Sequence, residues 1–302
     1  MNAAVPTWTT LVDAAALADV LGRDGTRVID ARATASTAVR VVDARSSLAD
    51  PPSGAQAYAQ GHLPGALHAD LNGDLADMDK VGHGRHPLPD SDAFAATVGR
   101  WGIAPDTQVV VYDAGDGSMA AARLWWLLRL LGHTRVAVLD GGLAAWTTAG
   151  QPLTPALPDV TPLAAYPGRF DQRQIASVDE IAARLKHAPG WLLDARAGER
   201  FRGEVEPLDP VAGHVPGAVN RPYADNLVET RFRPPTQLAA EFRALLAAHA
   251  PERAIVMCGS GVTACHHLLA MERAGLTGAK LFTGSWSGWI TDPGRPIATG
   301  PA

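Results

Sequence analysis

The sequence predicts an α/β fold in two tandem copies, each a parallel sheet flanked by helices. Short apolar runs rich in β-branched residues alternate with amphipathic helical patterns, which is typical of parallel sheets covered on both faces. The chain has 302 residues, a length that suits about two domains. Four sequence blocks also occur twice in the same order, which indicates a duplication.

The predicted strands and helices follow from the apolar periodicity of each segment. The strands are RVVDA, QVVVYD and RVAVLD in the first copy, and WLLDA, AIVMC and AKLFTG in the second. The clearest helices are AAARLWWLLRLLG, PTQLAAEFRALLAAHA and GVTACHHLLAMERAG. The segment 27–45 offers two near-identical candidates for the first strand, and we prefer the second because it leads directly into GHLPGA.

The repeated blocks align the two copies residue by residue. The pairs are VVDAR with LLDAR, GHLPGA with GHVPGA, VVVYDAGDG with AIVMCGSG, and LDGGLAAW with FTGSWSGW. In this alignment Asp113 of the first copy stands where Cys258 stands in the second. Residues 151–168 are rich in proline and have no helical period, so they predict an extended linker between domains at 1–150 and 169–302.

Composition excludes several classes of partner. A net charge of −5 and no dense Lys/Arg stripe argue against nucleic acid. We find neither an export signal nor an apolar run long enough to span a membrane, so we expect a cytoplasmic protein. Two cysteines cannot form a disulfide framework, and any reactivity belongs to a thiol. Two fused copies already share an internal interface, so we expect a monomer.

Cys258 ends a predicted strand and opens a glycine-rich loop into a helix that begins near Val262. Ligands bind at such strand ends in parallel sheets. Gly259 and Gly261 allow tight turns, so amides of residues 259–263, which include Thr263, can point at one sulfur atom. The helix start adds N–H donors that favour a thiolate. We therefore expect a nucleophile, the alternative being a buried structural cysteine.

Two kinds of chemistry use a cysteine in such a loop. Cysteine-based phosphatases need an arginine six residues after the nucleophile, where this chain has Ala264. A sulfur carrier needs only small residues and backbone amides to hold a persulfide anion. Sulfur transfer is therefore favoured. Cys265 is expected to pack in the core, too far from Cys258 for a disulfide.

The paired DAR and GH(L/V)PGA blocks, the CGSGVTA loop and the final GSWSGW resemble the two-domain rhodanese family over nearly the whole chain. The resemblance implies a catalytically silent first domain and a persulfide on Cys258 of the second. The loop is similar to that of the family's 3-mercaptopyruvate branch, which implies desulfuration of that donor to pyruvate. The acceptor would be thioredoxin, another thiol or cyanide, and no cofactor is expected because the thiol carries the sulfur.

The resemblance carries over to the donor-binding residues unevenly. Arg200, in GERFRGE, matches the first of two arginines that hold the donor. Leu208 stands near the second, so Arg202 is a candidate substitute and thiosulfate:cyanide transfer stays open as an alternative. Arg123 is a candidate for the domain interface, where the family's active site lies. We expect Trp286 to form a wall of the pocket.

The family's proposed serine, histidine and aspartate relay is matched only in part. Ser260 and His86 correspond to its first two members, whereas Asn72 occupies the acidic position, with Asp74 nearby. An asparagine can orient a histidine but cannot stabilise its charged form as a carboxylate does. A second open alternative is a binding module of this fold that leaves Cys258 idle.

Other motifs favour structural roles. No carboxylate or cysteine at ligand spacing accompanies the histidines of HGRH (83–86), so no metal is expected. His266 and His267 point about 100° apart around a helix and are not expected to share a ligand. The pair Asp194 and Arg196 recurs in the first copy, so we expect it to tie a strand end to a loop.

Overall fold

The computed structural model describes residues 7–22 and 39–301. The preferred first strand is present in it, whereas the other candidate, within 27–31, lies outside the described residues. The elements are, in chain order, β1 (Leu11–Val12), α1 (Ala14–Leu21), β2 (Val39–Asp43), α2 (Ser53–Gln60), β3 (Leu67–His68), α3 (Ser91–Arg100), β4 (Gln108–Tyr112), α4 (Ala120–Leu130), β5 (Val136–Leu139), α5 (Gly142–Thr148), β6 (Ile175–Ala176), α6 (Val178–Arg184), β7 (Leu192–Asp194), α7 (Gly198–Phe201), β8 (Val219–Asn220), β9 (Leu227–Val228), β10 (Arg231–Phe232), α8 (Pro235–Leu246), β11 (Ile255–Met257), α9 (Ala264–Arg273), β12 (Lys280–Phe282) and α10 (Ser285–Trp289).

Two five-stranded sheets have the same strand order. The first runs β1-β5-β4-β2-β3 and the second β6-β12-β11-β7-β8, and every strand pair in both is parallel. The central strands β4 and β11 are wholly buried, which explains why they read as continuous apolar runs. The predicted α/β class and its duplication are confirmed. A short antiparallel hairpin, β9 with β10, is added to the second copy.

The packing divides the described residues into two compact units. Unit 1 holds the residues up to Leu75 together with Pro89–Phe170, and unit 2 holds Ala76–Leu88 together with the residues from Asp171 onward. We call Ala76–Leu88 the inserted segment, because it belongs to the first half of the sequence and packs into unit 2. Hydrogen bonds from the Asp77 N–H to the Pro87 carbonyl (3.0 Å) and from Lys80 Nζ to the Leu88 carbonyl (2.9 Å) close it into a loop.

The repeated Asp-x-Arg pairs tie strand ends to loops in both units, as the repeat predicts. Arg45 pairs with Asp43 and donates to the Gly61 carbonyl at 2.7 Å. In the same way Arg196 pairs with Asp194 at 2.8 Å and donates to the Gly213 carbonyl at 2.8 Å. Each arginine thus fixes the loop that precedes a His-x-Pro-Gly-Ala turn.

His266 and His267 share a hydrogen-bond partner within the chain, although their side chains leave the helix in different directions. The amide nitrogen of Asn226 donates to Nδ1 of both, at 3.0 and 2.9 Å, because an amide nitrogen carries two hydrogens. His267 is fully buried, and this desolvation lowers its pKa to about 3. The neutral ring bonds the Arg221 carbonyl through Nε2 at 2.8 Å. The pair is a structural network in the core of unit 2.

The described residues offer neither a membrane-spanning helix nor a cluster of metal-binding side chains. The longest described helix, α8, has 12 residues, whereas crossing a bilayer takes about 20 apolar residues, and none qualifies. Within 7–22 and 39–301, no group of three or more histidine, cysteine or acidic side chains is arranged to hold a metal ion.

Candidate functional site

Cys258 lies directly after β11, the central strand of the second sheet, at the edge where parallel strands end. Cys258 is 3% exposed, and both cysteines are free thiols. Cys265, the second residue of α9, is fully buried, and its Sγ donates to the Gly261 carbonyl at 3.4 Å. The expectation that Cys265 packs in the core is confirmed.

The loop after Cys258 turns back on the sulfur atom. The Gly261 N–H donates to Cys258 Sγ at 3.2 Å. Gly261 has a φ of +77°, and a Cβ there would lie 2.5 Å from the Thr283 carbonyl oxygen, so the turn requires glycine. The carbonyls of Val262 and Thr263 accept the first hydrogen bonds of α9. The loop thus places the Gly261 N–H within hydrogen-bond distance of the Cys258 thiol and is followed directly by α9.

Helix α10 holds this loop from the other side. The Trp286 N–H donates to the Cys258 carbonyl at 3.0 Å, and the Ser287 N–H donates to the Gly259 carbonyl at 2.9 Å. The Cys258 N–H donates to Ser285 Oγ at 3.1 Å. Trp286 is fully buried among core residues and bonds the Val211 carbonyl through its indole at 2.9 Å. It supports the loop from the core side.

His86 and Ser260 meet as the sequence comparison predicts. His86 Nδ1 lies 2.8 Å from Ser260 Oγ, and both residues are buried. His86 comes from the inserted segment, so unit 2 contains both partners. Asp74 and Asn72 lie in unit 1, where the Asp74 carboxylate accepts from the Asp70 N–H at 2.9 Å and pairs with Arg100 at 3.7 Å.

Two guanidinium groups flank Gly259, the residue next to Cys258. A Cβ on Gly259 would lie 2.8 Å from Arg85 Nη2 and 3.5 and 3.6 Å from the Nη atoms of Arg200. Arg200 was predicted from the sequence, whereas Arg85 was missed. The signal that could have found Arg85 is its position directly before His86 in the chain.

Buried carboxylates position both arginines. Asp209 pairs with Nη1 of Arg85, and its second oxygen lies 3.5 Å from Arg200 Nη2. Glu206 accepts from the same Arg200 nitrogen at 2.7 Å. Burial tends to raise the pKa of Glu206, but hydrogen bonds from Arg200 and from the Leu208 and Asp209 N–H groups outweigh it and hold that pKa below its usual value.

Arg196 adds a third positive charge. Its side chain is 1% exposed, lies 4.9 Å from the ring centre of Trp286 and approaches Glu206 at 3.5 Å. Burial tends to lower the pKa of Arg196, whereas the charges of Asp194, Glu206 and Cys258 together raise it. A thiolate at Cys258 is thus one of the charges that stabilise the Arg196 guanidinium. The sequence reasoning did not expect this effect because it gave the recurring Asp-x-Arg pair a structural role only.

Two other predicted residues make contacts of their own. Arg202 pairs with Glu204 at 2.7 Å, with 39% of its side chain exposed, and this contact lends no support to the suggestion that it replaces the second donor arginine. The carboxylate of Glu204, two positions later in the chain, binds the Arg202 guanidinium at the surface. Arg123 is fully buried in unit 1, where its Nη2 lies 3.4 Å from the Leu75 carbonyl and its guanidinium lies 5.6 Å from the ring centre of Trp126.

Known proteins resemble this chain along most of its length. The family described as rhodanese-like domain matches residues 13–149 and 177–292. "Probable 3-mercaptopyruvate sulfurtransferase" of Pseudomonas aeruginosa is 49% identical over 263 residues, 86% of this chain and 92% of that protein. Thiosulfate sulfurtransferase of Bos taurus is 34% identical, covering 83% and 85%.

A solved structure has the same overall architecture. The 3-mercaptopyruvate sulfurtransferase from Leishmania major matches with a TM-score of 0.78 and 29% identity, over 94% of this chain and 76% of that one. The repeated sheets, the cysteine loop and these relatives agree with the resemblance seen in the sequence motifs. The chain therefore belongs to the rhodanese family, as a sulfurtransferase with two rhodanese-like domains.

Proposed function

We propose that this sulfurtransferase takes sulfur from 3-mercaptopyruvate as a persulfide on Cys258 and passes it to a thiol, such as that of thioredoxin, or to cyanide. The observation that carries the proposal is the placement of Cys258 Sγ. It accepts the Gly261 N–H at 3.2 Å and adjoins a residue flanked by two guanidinium groups. An anionic donor and a sulfur anion are both stabilised by such surroundings.

In the first step, the Cys258 thiolate attacks the thiol sulfur of the donor. A sulfur–sulfur bond forms, and the bond between that sulfur and C3 of the donor breaks, leaving its electron pair on C3 as the enolate of pyruvate. The donor's thiol proton ends on C3, so the products are pyruvate and the Cys258 persulfide anion. Arg200 holds the donor's carboxylate, and the amides of residues 259–263 stabilise the persulfide.

In the second step, the acceptor removes the outer sulfur. A thiol RSH attacks it, the sulfur–sulfur bond to Cys258 breaks, and the products are RSSH and the Cys258 thiolate. With cyanide the product is thiocyanate. The protein thiol carries the sulfur in both steps, so the cycle needs no further group.

The catalytic role belongs to the second domain, 169–302, completed by the inserted segment. In the first domain, 1–150, Asp113 occupies the cysteine position and accepts the Gly115 and Gly117 N–H groups at 3.2 and 3.0 Å. Its burial raises its pKa to about 6. A carboxyl group in that cradle cannot carry sulfane sulfur, which supports a silent first domain.

Comparing donors tests the proposal. Intact-protein mass after brief incubation is expected to show a gain of one sulfur atom, formed at least about tenfold faster with 3-mercaptopyruvate than with thiosulfate at equal concentration. A tenfold ratio of loading rates corresponds to about one charge-assisted hydrogen bond, which the carboxylate of 3-mercaptopyruvate accepts and which thiosulfate, having no carboxylate, does not reproduce. If neither donor adds sulfur, the proposal fails and a binding module that leaves Cys258 idle replaces it.

Thiosulfate is the second candidate donor. The observation in its favour is the pair of guanidinium groups beside Gly259, since thiosulfate is a dianion. Attack by Cys258 would break the sulfur–sulfur bond of the donor and release sulfite. Faster sulfur loading from thiosulfate than from 3-mercaptopyruvate would indicate that the protein is a thiosulfate:cyanide sulfurtransferase that uses the same nucleophile.

Ser260 and His86 are proposed to move the donor's proton. The Ser260→Ala variant is expected to load sulfur from 3-mercaptopyruvate about 100-fold more slowly, the usual scale of general acid–base catalysis. Loading from thiosulfate transfers no proton to carbon, so its rate constant should stay close to that of the wild type. Single-turnover rates with both donors measure this. An equal loss with both donors would mean that Ser260 only shapes the loop.

A further inference from the structure

We infer that Ser287 of α10 is a positioning residue that sets His86 against Ser260 for the proton movement proposed above. Its hydrogen bonds reach the residues that directly precede these two partners in the chain. The Ser287 N–H donates to the Gly259 carbonyl at 2.9 Å, and Ser287 Oγ accepts the Arg85 N–H at 3.0 Å. One residue thus fixes the backbone directly before Ser260 and directly before His86. The inference rests on the proposed function.

The first copy of the domain makes the corresponding backbone bond without a hydroxyl. The repeated blocks align Ser287 with Ala144. The Ala144 N–H donates to the Ala114 carbonyl at 3.2 Å, as the Ser287 N–H donates to the Gly259 carbonyl. The loop after the strand therefore folds with alanine at this position. The hydroxyl of Ser287 has a separate task in unit 2, which is the hydrogen bond to the inserted segment.

The inserted segment reaches the Ser287 hydroxyl through a glycine. Gly84 has a φ of +91°, and a Cβ there would lie 2.9 Å from Ser287 Oγ and 2.7 Å from the Gly284 carbonyl oxygen. The hydroxyl donates to that carbonyl at 3.4 Å, so its oxygen can accept the Arg85 N–H. Only glycine fits so close to α10, and the contact restricts the backbone that leads to His86.

Other contacts hold the inserted segment in different ways. The Asp77 N–H donates to the Pro87 carbonyl at 3.0 Å within the segment itself, and the Arg85 side chain pairs with Asp209. A long arginine side chain has several rotatable bonds, so its ion pair restricts the backbone less than a hydrogen bond to the backbone N–H does. Loss of the Ser287 hydroxyl should therefore loosen the contact of His86 with the loop without releasing the segment.

Single-turnover loading of the Ser287→Ala variant tests the inference. Loading from 3-mercaptopyruvate should slow by about tenfold, less than the loss of about 100-fold expected for Ser260→Ala, because the histidine is displaced and not removed. Loading from thiosulfate transfers no proton to carbon and should stay within about twofold of the wild type. Thr291→Val is the matched control. It removes a hydroxyl just after α10 that donates to the Gly288 carbonyl at 2.8 Å, and both rates should be unchanged.

A double variant distinguishes positioning from a general structural role. If Ser287 acts through His86 and Ser260, adding Ser287→Ala to Ser260→Ala should slow loading from 3-mercaptopyruvate by less than about a further twofold. Losses that multiply in the double variant would overturn the inference. So would an equal loss with both donors, or a wild-type rate in the Ser287→Ala protein.

Gly84→Ala disturbs the same contact from the inserted segment, with Ser287 unchanged. Its methyl group would collide with the Ser287 hydroxyl and the Gly284 carbonyl, so loading from 3-mercaptopyruvate should slow by about tenfold or more. Gly82→Ala is the matched control, because Gly82 has a φ of +83° and a Cβ there would meet nothing within 4 Å. Equal loading rates in these two variants would count against the inference.

Hydrogen exchange of the backbone amides separates this inference from the proposed function, because it needs no sulfur donor. In Ser287→Ala the Arg85 amide should exchange about tenfold faster, whereas the Asp77 amide, bonded within the inserted segment, should keep its wild-type rate. If wild type loads no sulfur, the proposed function fails, and faster exchange at Arg85 still supports Ser287 as the residue that holds the segment. Unchanged exchange at Arg85 overturns the inference whatever the loading rates.

Discussion

The Cys258→Ser variant is expected to gain no sulfur from any donor and to lose turnover by about a thousandfold or more. A serine hydroxyl is not ionised at neutral pH, and it cannot form a persulfide. The loop itself should survive, because its anchors are the backbone bonds to α10 and the Ser285 hydroxyl. Intact mass and steady-state pyruvate release measure the two effects.

Cys265→Ser is the matched control, since the chain has only two cysteines. A serine at 265 provides a hydroxyl that can donate to the Gly261 carbonyl in place of the thiol, which does so at 3.4 Å. This variant should gain one sulfur atom as the wild type does. Sulfur on the Cys258→Ser protein, or its loss from the Cys265→Ser protein, would contradict the assignment of the nucleophile.

Gly261→Ala is expected to damage both the fold of the loop and its chemistry. The alanine would have to keep a φ near +77° with its Cβ 2.5 Å from the Thr283 carbonyl oxygen. The left-handed conformation costs about 1–2 kcal/mol, and relief of the backbone collision adds to it, so we expect unfolding free energy to fall by about 3 kcal/mol. Because the N–H that contacts Cys258 moves with the backbone, sulfur loading should slow by about 100-fold.

Gly275→Ala isolates the effect of the backbone conformation. Gly275 has a φ of +73°, and a Cβ there would meet nothing within 4 Å. This variant should lose only about 1–2 kcal/mol and load sulfur at the rate of the wild type. Urea unfolding and single-turnover loading compare the two glycines. Equal stability losses would show that the collision with Thr283 is relieved without cost.

Much of the fold and the position of the candidate nucleophile could be predicted because the sequence signals are local. Continuous apolar strands predict buried parallel sheets, and the repeated blocks predict the second sheet from the first. Cys258 followed by Gly-x-Gly predicts a strand end with a tight turn, which the structure contains. Ser260 with His86 came from the motif resemblance, and the two residues do meet at 2.8 Å.

The positions of the Arg85 and Arg202 side chains show why the surroundings of the cysteine loop could not be predicted in full. Arg85 reaches Gly259 only because the inserted segment packs into unit 2 and bonds Ser287, which is tertiary structure without a local sequence pattern. Arg202 fits the sequence pattern but is captured by Glu204 two positions later. In both cases the position of the guanidinium depends on the carboxylate with which it pairs, Asp209 for Arg85 and Glu204 for Arg202.

The inserted segment also governs when the site is completed during synthesis. The ribosome makes Ala76–Leu88 well before Asp171, yet Gly84 and Arg85 pack against α10, which follows every other described helix and strand. Domains generally fold as the nascent chain emerges, in N-to-C order, but unit 2 must wait for its last helix to receive a segment made earlier. The Cys258 loop therefore acquires His86 and Arg85 as neighbours only after α10 has been synthesised.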